Sequence, residues 1–102
     1  MIHVLAYITV KPGMRAAFLK EFHANVPNVL AEKGCIEYGP TTDAAVDSPA
    51  QTKVGGDTSV IVEKWATWED LQAHMKAPHM ATYAAKVKDM LVERKIHILS
   101  PA

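Results

Sequence analysis

The sequence predicts an α+β domain: one four-stranded antiparallel sheet with its helices on one face. Three observations carry this expectation. Four short segments are dense in β-branched and aromatic residues. Between the first and second of them, and between the third and fourth, apolar residues recur at steps of three and four. The resulting order, β-α-β-β-α-α-β, is that of a split βαβ, or ferredoxin-like, arrangement.

Residues 2–10, IHVLAYITV, form the first expected strand. One parity (Ile2, Val4, Ala6, Ile8, Val10) is wholly apolar and the other (His3, Leu5, Tyr7, Thr9) is mixed; Lys11-Pro12-Gly13 ends the strand. Met14, Phe18, Phe22, Val26, Val29 and Leu30 then mark a helical stripe, closed by Gly34 after Glu32-Lys33. Pro27 lies inside that stripe and predicts a kink, or a helix that restarts there. A second strand runs from Cys35 to about Asp43, and residues 44–58 read as a long loop that is mobile or acts as a lid. Residues 59–65, SVIVEKW, make the third strand. Thr67 can cap the next helix, with Asp70 three residues on reaching back. That helix places Leu71, His74 and Met75 on one side and ends before Pro78, which suits the first turn of another. Met80, Tyr83, Ala84, Val87 and Met90-Leu91 form its stripe, and residues 91–99 are the last strand. Large apolar groups stand on both parities of the strands, where a solvated face would alternate to polar. A second copy packed sheet against sheet in a twofold dimer is the simplest way to cover them.

Composition narrows the function. At 102 residues a single domain, 1–102, is expected, with roughly 65% of its unfolded surface buried on folding. Lys+Arg and Asp+Glu are both 11, so there is no excess of cations for a nucleic acid. Cys35 is the one cysteine, which excludes an internal disulfide and a cysteine-based zinc site. No cationic head with an apolar run opens the chain and no stretch approaches a membrane span, so a soluble, cytoplasmic protein is expected.

Gly34-Cys35-Ile36-Glu37-Tyr38, Val62-Glu63-Lys64-Trp65, and Leu71-Gln72-Ala73-His74 followed by Ala77-Pro78-His79-Met80 resemble the antibiotic biosynthesis monooxygenase (ABM) domain, closest to its quinol monooxygenase branch. The resemblance spans nearly the whole chain. It implies a dimeric α/β barrel and oxidation of a small aromatic or quinol by dioxygen, with no metal, flavin or other cofactor. The substrate supplies the electrons; the protein binds it dry, removes a proton and excludes water. The family also holds isomerases of small phosphorylated molecules and haem-degrading members. The 44–58 loop is longer than in the compact quinol-oxidising members. Where the haem-degrading branch has a histidine and an asparagine, this chain has Ala84 and Ala6 or Tyr7, which disfavours haem degradation.

The candidate groups follow. His74, on the inward side of its helix, is either a general base in a pocket or a histidine tying helix to sheet. His79, at a helix start that disfavours a cation, contacts a substrate oxygen or caps the break at Pro78. A spacing of five does not align the two rings on one helical face and the sequence shows no third ligand, so no metal site is expected. Glu63 is a second base if shielded, or else an ion-pair partner at a dimer seam. Trp65 stacks on substrate or packs in the core; Tyr38 and Tyr83 bind a quinol oxygen or simply pack. Cys35 reads as a small buried hydrophobe. Two other functions compete: an isomerase of a small metabolite, favoured by Lys and Arg at the pocket mouth (among Lys53, Lys64 and Arg94), and a non-catalytic dimeric ligand-binding module, favoured by a pocket filled with side chains.

Overall fold

A computed structural model describes all 102 residues. In order, the elements are β1 (Ile2–Val10), α1 (Arg15–Leu30), β2 (Cys35–Thr41), β3 (Thr58–Trp65), α2 (Trp68–Met75), α3 (Pro78–Val87), a single 3₁₀ turn (Lys88–Met90) and β4 (Leu91–Leu99). The strands make one antiparallel sheet in the order β2-β3-β1-β4. This is the ferredoxin-like topology, with the helices on one face.

The period of two along the strands decides which side chains enter the core. Val4, Ala6, Ile8 and Val10 of β1 are buried, as are Ser59, Ile61, Glu63 and Trp65 of β3, and α1 closes over them with Phe18, Phe22 and Val29. The helical stripe is corrected at two positions. Leu30 is half exposed, and Asn25 is buried instead. Asn25 tolerates burial because both ends of its amide are used: Nδ2 donates to Met80 Sδ at 3.3 Å, and Oδ1 accepts from Asn28 Nδ2 at 3.1 Å. Pro27 does not restart the helix, which continues to Leu30. Proline there is in the last turn, so the one lost bond is to the carbonyl of His23, an exposed residue that water can reach.

Each outer strand carries one extra residue. Ile36 has no partner between Cys35 and Glu37, and Val92 none between Leu91 and Glu93; both are exposed. β2 ends at Thr41, two residues short of the expected Asp43, and the connection to β3 has no regular structure. Its base is tied down. The Asp43 carboxylate accepts from Val54 N at 2.9 Å and Gly55 N at 3.0 Å, which holds its carboxyl below the ordinary value. Arg15 donates to the carbonyls of Gly55 and Thr58.

Thr67 caps α2 as expected, its Oγ1 accepting from Asp70 N at 3.1 Å. The Asp70 side chain lies against Gly34 instead of bonding back to Thr67. Gly34 has φ +80°, and a Cβ there would collide with the Asp70 carboxylate. Two independent constraints therefore select glycine at the turn that leads from α1 into β2. Gly34→Ala should destabilise the fold by about 1–2 kcal/mol or more, read by urea unfolding, and Gly34→Ala with Asp70→Ser should recover only the collision part. Equal stability of Gly34→Ala and wild type would contradict this account.

Candidate active site

Between the sheet, the α2–α3 break and α3 lies a cavity of about 380 Å³, mostly apolar in lining, within the range of small-molecule sites. Val4, Ala6 and Ile8 form its floor, and Met80, Tyr83 and Ala84 of α3 form one wall. Into this apolar space the fold places Glu63, His74, Tyr38 and Tyr83, with Lys76 and Arg94 also in the lining.

Glu63 is directed inward by strand parity, between Val4 on one side and Tyr38 on the other. It is 7% exposed. Its Oε1 accepts from Trp65 Nε1 at 2.9 Å. Burial pushes the Glu63 carboxyl above its ordinary value of 4.5, while the Trp65 hydrogen bond and nearby His74 pull the other way. The ion-pair alternative at a seam does not describe it, because its partner is an indole and its environment is the cavity. Tyr38 stacks on Phe22 at 5.2 Å and meets His74 edge-on at 5.4 Å. Tyr83 meets Phe22 edge-on at 5.7 Å. Burial is the main force raising both phenols, so both hydroxyls remain protonated, and neither hydrogen-bonds within the chain.

His74 is 4% exposed and its ring lies 4.7 Å from that of Trp65. Its Nδ1 is 2.9 Å from Glu32 Oε2. The same oxygen is 2.8 Å from His79 Nε2. The sequence reading missed Glu32. It sits in a Glu-Lys-Gly helix end that reads as a solvated terminus, and its partners are 42 and 47 positions away.

The other sequence candidates divide. His79 lies outside the cavity lining and is turned to Glu32, so the expected contact with a substrate oxygen is replaced by a contact with that carboxylate. Trp65 has no exposed surface, which leaves no face for a substrate; stacking on a ligand is corrected to packing and to holding Glu63. Glu32 is a third metal-type donor beside the two histidines, but no group of three or more His, Cys, Asp or Glu is arranged to hold a metal ion. Cys35 is half-buried rather than buried, its thiol pushed up to about 11 by desolvation and by Glu32 and Glu63. A second hollow, of about 360 Å³, lies on the opposite sheet face among Tyr7, Val54, Lys95 and His97; it lacks the buried carboxyl and imidazole of the first.

An apolar cavity with a shielded carboxyl, an imidazole and two protonated phenols has the makings of an acid–base site for a small hydrophobic molecule. The chain belongs to the antibiotic biosynthesis monooxygenase family, whose sequence pattern matches residues 1–86. Escherichia coli YgiN, named "Probable quinol monooxygenase", is 39% identical over 103 residues, covering 99% of this chain and 98% of that protein. Bacillus subtilis YcnE is 34% identical over 92 residues, covering 89% and 86%. Among solved structures, Pseudomonas aeruginosa PA3566 superposes with a TM-score of 0.79 at 26% identity, covering 99% and 93%. Mycobacterium tuberculosis Rv0793 shares the fold with a TM-score of 0.80 at 24% identity, covering 99% and 94%. Family and relatives together support a function of the monooxygenase type. No helix is long and apolar enough to cross a membrane.

The raised carboxyl of Glu63 has a consequence for stability. Between 4.5 and its raised value, the folded chain keeps a proton that the unfolded chain releases. Stability from this group is therefore present at low pH and lost as pH rises through that window. Glu63→Gln keeps an acceptor for Trp65 Nε1 and does not titrate. Its melting temperature relative to wild type should climb as pH rises from 4.5 and then level off. A pH-independent difference would show that Glu63 ionises as it does in water.

Proposed function

We propose that the chain is a cofactor-independent monooxygenase that oxidises a small aromatic or quinol with dioxygen. The observation that carries this is the pairing of a largely apolar cavity with His74 and Glu63 on its wall. The name of the E. coli relative supports the substrate class. In this reading a quinol enters the cavity, with Tyr38 and Tyr83 offering hydroxyl donors to its oxygens. His74 removes a phenolic proton, with Glu63 the second choice of base. The quinolate is electron-rich enough to reduce dioxygen directly. One oxygen atom joins the ring as a hydroxyl, the other leaves as water, and the ring becomes a hydroxyquinone, so quinol plus O₂ balances with hydroxyquinone plus H₂O. The apolar lining of the cavity disfavours water around the anion and so limits competing protonation.

Oxygen uptake over a panel of quinols and anthrones, with metals chelated, tests the reaction. His74→Ala and His74→Gln should both lower turnover per folded molecule by roughly 10²–10⁴-fold. A purely structural His74 would instead lower the melting temperature of the Ala variant and leave turnover per folded molecule intact.

Lys76 and Arg94 on the cavity lining favour a second reading, an isomerase of a small phosphorylated molecule. The other two cations considered are elsewhere: Lys64 lies on the opposite face, 3.6 Å from Glu37, and Lys53 is in the loop. The predominance of apolar lining weighs against a highly charged ligand. The open cavity weighs against a side-chain-filled, non-catalytic module.

We also propose that the chain acts as a homodimer. Leu5, Tyr7, Val60 and Val62 on the sheet face away from the helices are only half-buried, and Leu99 of β4, on the same face, is exposed. Covering them with a second copy removes an apolar sheet face from water. Sedimentation at micromolar concentration should give about twice 11.2 kDa. A folded monomer would contradict it.

A further inference from the structure

We propose that Glu32 is the positioning residue of the site: its carboxylate holds His74 as the Nδ1–H tautomer and so presents the Nε2 lone pair to the cavity. The role of the lone pair as a base rests on the monooxygenase reading above; the tautomer does not.

The argument starts from what a carboxylate can do. Ionised, it accepts hydrogen bonds and donates none. Glu32 Oε2 is 2.9 Å from His74 Nδ1 and 2.8 Å from His79 Nε2, so both nitrogens must carry hydrogen. A neutral His74 ring then has its lone pair at Nε2. That atom has no partner in the chain, yet it is not sealed away: the buried side-chain atoms left without a partner are Gln51 Oε1 and Ser59 Oγ alone. With His74 4% exposed and lining the cavity, the small surface it retains includes Nε2.

The carboxylate is itself held in place. It stands just past the end of α1, where Glu32 N donates to Val29 O at 2.9 Å and Glu32 O accepts from Cys35 N at 3.2 Å. Its side chain is 13% exposed. The second hydrogen bond, from His79 at the first turn of α3, fixes which way the oxygen faces. His79 thus acts on His74 through Glu32, and the Pro78 break is what brings both rings to one oxygen. Tyr38 and Trp65 pack on the faces and edges of the His74 ring, which restrains it from flipping.

The test is a long-range ¹H–¹⁵N spectrum of the histidine rings at neutral pH, with His74 assigned by the signals missing in His74→Gln. Wild type should show His74 with a proton on Nδ1 and none on Nε2. In Glu32→Gln, whose amide can also donate, the Nε2–H form should become populated. A wild-type ring in the Nε2–H form, or protonated on both nitrogens, overturns the proposal without need of any variant. So does an unchanged tautomer in a folded Glu32→Gln protein. On a quinol that wild type oxidises, Glu32→Gln should lower kcat by roughly 10²–10⁴-fold while KM changes by less than about threefold, the signature of a misdirected base. Unchanged kcat overturns the positioning role. If wild type oxidises no quinol, the monooxygenase reading fails, and the spectrum alone decides the tautomer.

Discussion

One carboxylate oxygen organises the helical side of this protein. Glu32 Oε2 receives a ring from α2 and a ring from α3 while its own backbone belongs to the turn that leaves α1. Three helical segments are thereby referenced to a single atom. Neither α2, with eight residues, nor α3, with ten, is long enough to be stable alone in water. Their placement comes from packing and from this junction. A nearly buried acceptor with two donors is satisfied, whereas His74 without the carboxylate would leave a buried ring nitrogen unpaired, at a cost of about 1–3 kcal/mol.

The sheet side obeys a different constraint, the strict alternation of side chains. On β3 the inward positions are Ser59, Ile61, Glu63 and Trp65, so a carboxyl occupies a position that packing alone would give to an aliphatic residue. It is tolerated because Trp65, two residues on and on the same face, supplies an indole N–H. Trp65 in turn packs against His74. Acid, indole and imidazole thus form a continuous path from β3 to α2 and on to Glu32. The polar groups of the site touch one another across the core instead of being scattered around a rim.

Most of the fold was legible because it is written in short-range patterns. The two parities of residues 2–10, the stripe through Phe18, Phe22 and Val29, the Thr67 cap and the Pro78 break each involve residues a few positions apart, and each is realised in the structure. Asn25 and Leu30 broke the helical pattern for a tertiary reason: Met80 supplies a partner to the amide, and nothing covers the leucine. The site was partly legible. Strand parity brought Glu63 inward, and helical spacing brought His74 in. Glu32 was not legible, since a glutamate before Lys-Gly at a helix end carries no local sign of burial. Trp65 and His79 show the converse. Their residue types suit ligand contact, but complete burial of one and a carboxylate facing the other assign them to support.

The clamp at Asp43 bears on how this protein tolerates change. By bonding to Val54 N and Gly55 N, Asp43 closes residues 44–53 into a ring that leaves the sheet and returns to it at a fixed point. The entropy of closing such a ring grows only logarithmically, about 0.6 kcal/mol for each doubling of length. Residues can therefore be added to or removed from the excursion without moving β2 or β3, and with them Tyr38 and Glu63. The segment is a natural point for grafting an epitope or a fluorescent reporter, and for lineages to diverge in length while the interior stays the same.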